Sequence, residues 1–280
     1  MSKLVERMLM DMTLQNLSPK TIKAYSWHTK KFCEYFSKSP EELGEDDIRH
    51  YLYHLKAVEK CSSSHMAQAF SAIKYLYRNL LKMPVPLSSL RGPKKERRLP
   101  VVLSRAEVKR LIDSVKNDKH QLILKTIYSG GLRISEALHL CISDIDSSRM
   151  VIRVKQGKGN KDRYTLLAKS LLEDLREYWL KEKPRTWLFP STKLKDKPIN
   201  QGTVQKVFSR TLKQAKIYKP ATVHTLRHSF ATHLLEQGAN ILTIQQLLGH
   251  KSIKTTMIYL HIQKNQGQKI INPLDNLEVE

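Results

Sequence analysis

From Ile22 onward the apolar side chains return every three or four positions: Ile22, Tyr25, Phe32, Cys33 and Phe36, with Thr29 in the same row. That spacing follows the helical turn and predicts a helix with one buried stripe. Ser18-Pro19 ahead of it supplies a capping hydroxyl and a proline preset for the first helical position. The stretch before it interrupts its apolar residues with Lys3, Glu6, Arg7 and Asp11. It reads as an amphipathic helix, not as the unbroken apolar core of a signal peptide. Glu45-Asp46-Asp47 suits the positive end of a third helix. A fourth stripe runs from about Ser64 through Met66, Phe70, Ile73, Tyr77 and Leu80. Four short helices, each with an apolar face, predict an N-terminal bundle over residues 1–90.

Between Pro84 and Pro100 the periodicity stops, in a segment with four prolines, one glycine and the run Lys94-Lys95-Glu96-Arg97-Arg98. Such a composition forbids a regular helix and predicts an extended basic linker at 91–102. A second domain, 103–280, opens at Ser104, which with Glu107 forms a capping box ahead of Val108, Leu111, Ile112 and Val115. The next helix covers about 120–129 and stops at Gly130-Gly131. Met150–Val154 and Tyr164–Leu167 have strand composition and flank Gly157-Lys158-Gly159-Asn160, which predicts a β-hairpin. From about Ser170 to His261 the pattern is helical again, with Gly249 as the C-terminal cap of a helix ending in Leu247-Leu248. The polar tail beyond His261 ends acidic and predicts little structure of its own. The expected fold class is mainly α with a small β-hairpin.

Charge narrows the function. Lys and Arg number 49 against 26 Asp and Glu, a formal net charge of +23 that predicts a polyanionic partner and salt-sensitive binding to it. No apolar run approaches the ~18–20 residues of a membrane-spanning helix. Cys33, Cys61 and Cys141 form no close-spaced pair, and an odd count argues against a disulfide framework. Cys61 and His65 stand four apart without further ligands nearby, so no metal site is expected there. A reducing, cytoplasmic setting follows.

The candidate chemistry is that of an anionic phosphate. Arg133 follows a double glycine at a helix start, where a guanidinium can grip two phosphate oxygens. It also reads as a surface arginine, and Glu136 one turn on either orients it or is an ordinary intrahelical partner. Lys158 is a solvated turn lysine or an ammonium carried over substrate to protonate a leaving oxygen. Lys161 and Arg163 are placed to contact a phosphate backbone instead. His224 and Arg227 lie one helical turn apart, with His228 an equal candidate by composition. His250 reads as a capping histidine or a phosphate ligand. Tyr259 reads as a core aromatic or a nucleophile.

The order and spacing of these pieces carry more than any one of them. SGGLRISEAL, GKGNKDR, HTLRHSFATHLLEQGANI and IQQLLGHKSIKTTMIYLH resemble the tyrosine recombinases of the phage-integrase superfamily, especially small Xer-type and transposon or integron integrases. The resemblance is dense from Leu103 to His261 and looser before. It implies an N-terminal four-helix SAM-like core-binding domain and a C-terminal α+β catalytic domain, closing on duplex DNA as a C-shaped clamp. The family's six functional positions fall on Arg133, Lys158, His224, Arg227, His250 and Tyr259. It further implies attack by the tyrosine on a DNA phosphodiester, a covalent 3′-phosphotyrosine, and a released 5′-hydroxyl. Arg133 and Arg227 would neutralise the five-coordinate transition state. His224 would hydrogen-bond there or take the phenolic proton, His250 would fix the phosphate or assist, and Lys158 would serve as general acid. No cofactor, metal or ATP is implied. The implied partners are two recombination sites in double-stranded DNA and a homotetramer on them, alone or with a related recombinase or accessory protein. The tail resembles a segment that docks on a neighbouring subunit.

Three rivals stay open: a type IB topoisomerase-like enzyme, a non-catalytic DNA-binding accessory protein, and a basic RNA-binding protein without a recognisable RNA module. Within the family, no arm-binding domain precedes the four helices and no long insertion precedes His224. These count against the lambda-type and integron integrases respectively. The whole reading requires the guanidiniums to converge beside a phenol that can reach the phosphate.

Overall fold

Ser18 accepts a hydrogen bond from the Thr21 amide at 3.1 Å and so starts the second helix where the serine-proline signal places it. In the computed structural model, which describes residues 2–36, 38–83, 92, 99–155 and 162–263, the chain divides into two units, Met1–Arg98 and Leu99–Glu280. Each is described by itself. The first unit comprises α1 (Ser2–Leu14), α2 (Pro19–Tyr35), α3 (Glu45–Ala57) and α4 (Ser63–Tyr75). Phe32 and Cys33 of the α2 stripe pack with Met8, Met12, Ile48, Tyr51, Met66 and Ile73 from the other three helices. The Tyr77 hydroxyl donates to the Pro40 carbonyl at 2.7 Å, tying the end of the bundle to the α2–α3 connection. The fourth helix departs from expectation in its last part. Beyond Tyr75 it widens into a π-helical turn over Leu76–Leu81, which still buries Leu76, Tyr77 and Leu80. Most of the expected linker lies outside the described residues.

In the second unit Ser104 and Glu107 cap each other, the Ser104 amide donating to the Glu107 carboxylate at 2.7 Å and the Glu107 amide to Ser104 Oγ at 3.2 Å. They open α5 (Arg105–Asp113), followed by α6 (Asp118–Gly130) and the short α7 (Ile134–Leu138). The hairpin is the larger part of a sheet of three antiparallel strands: β1 (Ile145–Asp146), β2 (Val151–Val154) and β3 (Arg163–Leu166). β1 was not foreseen, because two residues paired to Val151 and Ile152 are too few to show alternation. Ile152 and Val154 point into the core. The helices α8 (Lys169–Glu182), α9 (Gln201–Gln214), α10 (Val223–Glu236), α11 (Ile241–Leu248), α12 (Ile253–Thr256) and α13 (Ile258–Gln263) complete the unit. α10 is the axis of the arrangement. Ten of its fourteen residues are buried, as its apolar and small side chains on every face require.

Gly131 closes α6 with φ +58°, and a Cβ built there would overlap the Phe230 ring of α10. Gly131→Ala therefore combines left-handed strain with a clash against a packed helix. We expect a loss of about 2–3 kcal/mol, read by urea unfolding of the full chain against wild type.

Candidate active site

Three guanidiniums meet on one carboxylate. Arg133 is the N-cap of α7, and its amide donates to Glu136 Oε2 at 2.8 Å while its guanidinium pairs with Oε1. Arg163, from β3, donates through both Nη atoms to the two oxygens of Glu136 at 3.0 and 2.7 Å. Its Nε donates to the Leu247 carbonyl at 2.9 Å. Arg227, from α10, stands 3.7 Å from the same carboxylate. Its Nη1 and Nη2 donate to the carbonyls of Gly131 and Leu248, each at 2.6 Å. Those carbonyls close α6 and α11, so Arg227 sits at two negative helix ends, which favour a cation. This explains how a side chain with 1% exposure stays charged.

Burial would raise the Glu136 carboxyl, but the hydrogen bonds and charge of Arg163, with those of Arg133, outweigh it and hold the group at about 2. Burial, then repulsion from Arg133, brings Arg227 down to about 10, still cationic at neutral pH. The two readings of Glu136 are both realised: it caps its own helix and orients Arg133. The expectation that Arg163 contacts a phosphate backbone is corrected. Its side chain is 10% exposed, its donors face Glu136 and Leu247, and its Cδ would lie 2.7 Å from a Cβ built on Gly249. Lys158 and Lys161 lie outside the described residues.

Tyr259 is 1% exposed, packed with Phe230, Ala231, Leu235, Ile244 and Leu248. The ring is the core aromatic that the sequence allows, and its hydroxyl is buried with it. That oxygen shares a hydrogen bond with Nδ1 of His228 at 2.9 Å. His224 lies edge-on to His228, ring centroids 4.6 Å apart, and is exposed on its outer side. His250 follows Gly249, whose φ of +63° closes α11, and its Nδ1 shares a hydrogen bond with Thr256 Oγ1 at 2.9 Å. Burial raises the Tyr259 phenol to about 12 against the pull of Arg227 and Arg133. Burial also lowers the histidines, helped for His224 by Arg227 and Arg133. His228 and His250 are each brought to about 4. The structure therefore gathers Arg133, Arg227, His224, His250 and Tyr259 around one place and adds Glu136, Arg163 and His228. The motif offers a signal for His228, one turn from His224 in HTLRH. Arg163 closes the motif GKGNKDR, but its pairing with Glu136 leaves no local signal, because that partner lies 27 positions away.

These shifts set a pH profile. An unfolded histidine titrates near 6.5, so between about 6.5 and 4 the unfolded chain binds more protons, and stability falls as pH drops through that window. Glu136 adds a second loss as pH falls from 4.5 towards 2. Tyr259 acts at the other end, its contribution lost as pH rises from 10 to 12. We expect His250→Asn to lower the slope of stability against pH near ~5.5 by close to one proton, measured by urea melts across that range.

Among the described residues no group of three or more His, Cys, Asp or Glu could hold a metal ion, and no helix is long and apolar enough to cross a membrane. Residues 101–266 match the phage integrase family, and residues 4–87 match the phage integrase N-terminal SAM-like domain. A Sinorhizobium fredii protein described as an integrase/recombinase, y4qK, is 42% identical over 99% of this chain and 90% of its own. The tyrosine recombinase XerD of Halalkalibacterium halodurans is 32% identical, with 91% of each chain covered. Among solved structures, the XerH site-specific recombinase in a post-cleavage complex with a palindromic difH substrate superposes with a TM-score of 0.76. That match is 25% identical and covers 90% of this chain and 79% of XerH.

Proposed function

The chain belongs to the phage integrase family, and from that premise we propose how its site-specific recombination of DNA proceeds. Its class is that of the tyrosine recombinases, enzymes that transfer DNA strands. Tyr259 attacks a phosphodiester and becomes joined to the 3′-phosphate, and the 5′-oxygen leaves with a proton from Lys158. Arg133 and Arg227 hold the non-bridging oxygens as charge builds on them. His224 and His250 complete the hydrogen bonds to that phosphate. The phosphotyrosine keeps the bond energy, so a 5′-hydroxyl from another strand reverses the step without ATP. Exchanges at two sites pass through a Holliday junction held by four copies. The N-terminal unit, residues 1–90, and the basic segment 91–102 supply contacts to the duplex backbone.

One observation carries the reading. Glu136 draws Arg133 and Arg227 together, and the helix bearing Arg227 also bears the histidine bonded to the Tyr259 hydroxyl. The test is incubation with a nicked suicide substrate built from DNA flanking the gene, followed by a denaturing gel. We expect a protein–DNA adduct that forms equally well in EDTA. DNA that is bound specifically but never becomes attached would overturn the assignment.

A further inference from the structure

A phenol that attacks phosphorus must lose its proton, and the acceptor has to stand within hydrogen-bonding reach. Among the histidines of the site it is His228, whose Nδ1 meets the Tyr259 hydroxyl at 2.9 Å. His224 lies against the His228 ring instead, and His250 Nδ1 is engaged with Thr256. Building on the recombinase reading above, we propose that His228 is a catalytic residue: its Nδ1 takes the Tyr259 proton as the phenolic oxygen bonds to phosphorus.

The step balances. The phenolic O–H bond breaks and its proton moves to Nδ1. The new O–P bond forms as the P–O5′ bond breaks, and the departing oxygen receives its own proton from Lys158. On rejoining, His228 returns the proton to the phenol. The groups facing His228 are His224 and Arg227 on its own helix, Tyr259 from α13 and His250 from the turn after α11. Burial, then the charges of His224 and Arg227, keeps the imidazole neutral, and in the Nε2–H tautomer its Nδ1 accepts from the phenol. An arriving phosphate offsets the Arg227 and Arg133 charges that depress these imidazoles, and bond formation acidifies the phenol. Both changes favour the transfer as attack proceeds. The acceptor is fixed as firmly as Arg227, since both project from the buried α10.

The test uses the full chain and the suicide substrate under single-turnover conditions, with DNA affinity and melting temperature measured alongside. His228→Phe removes the acceptor, and His228→Gln keeps a hydrogen-bonding group that cannot take up a proton. We expect both to bind DNA like wild type and to form adduct about 100- to 1000-fold more slowly. Their rates should climb close to tenfold per pH unit above ~7, while the wild-type rate stays flat. Replacing Tyr259 with the more acidic 3-fluorotyrosine should narrow the gap. Adduct formation at the wild-type rate in either variant, or a slowed rate indifferent to pH and to fluorination, overturns the role of His228. If His228→Phe fails to fold, His228→Gln alone decides. Absence of any adduct with wild type is a different result, and it removes the recombinase mechanism itself.

Discussion

Tyr259→Phe is expected to reduce strand cleavage to background while leaving DNA binding and folding nearly intact. The substitution deletes one oxygen. The ring that packs with Phe230, Leu235, Ile244 and Leu248 stays in place, so the apolar contacts survive. What is lost is the hydrogen bond to His228, worth about 1–2 kcal/mol where the partner is left half-buried. In the proposed reaction Tyr259 is the nucleophile, so the chemical loss is complete. A fall of at least about 10⁴-fold in adduct formation is expected, with salt-dependent binding unchanged. The measurement is the suicide-substrate gel beside a filter-binding titration. Cleavage persisting in the phenylalanine variant would remove Tyr259 from the mechanism. Recombination unharmed in cells carrying it would favour the accessory-protein rival.

Glu136→Gln should be the most damaging isosteric change in the catalytic unit. The carboxylate is 8% exposed, and the guanidiniums it gathers include Arg163 at 10% and Arg227 at 1%. Removing the one negative charge leaves those cations buried and facing each other. Loss of one partner from such a buried set costs about 3–5 kcal/mol. For a unit of this size that is roughly a 10 °C drop in Tm, readable by calorimetry. Activity should fall with it, since the guanidinium positions depend on Glu136. The double variant Glu136→Gln, Arg163→Met should recover part of the stability. A Tm within a degree or two of wild type would show that Glu136 is not what assembles the cluster.

Local signals were legible in the sequence. Ser18-Pro19, the Ser104–Glu107 box, Gly131 and Gly249 each act within one helical turn, and each stands where the sequence places it. The helical stripes of both units were equally plain, because burial on one face imposes its period on the residues. Strand β1 and the π-helical turn after Tyr75 were not legible. Two paired residues carry no alternation, and a wider turn uses the same apolar side chains as an ordinary one. The site divides in the same way. The motifs named the residues, but their partnerships cross 21 to 96 positions, from Leu248 and Gly131 to Arg227. Tyr259 shows the limit best. Sequence left it as core aromatic or nucleophile, and the fold makes its ring the first while its hydroxyl keeps the geometry of the second.

The meeting of three guanidiniums on Glu136 has an electrical consequence. Glu136 stays ionised and the neighbouring imidazoles are uncharged, so three positive groups and one negative leave a surplus of two elementary charges. An intact DNA linkage brings a single negative charge and under-fills that surplus. In the proposed reaction the five-coordinate phosphorus, bonded to Tyr259, both sugar oxygens and two free oxygens, carries about two, while the proton gained by His228 raises the surplus around it to three, so the pull on the transition state exceeds that on the resting linkage.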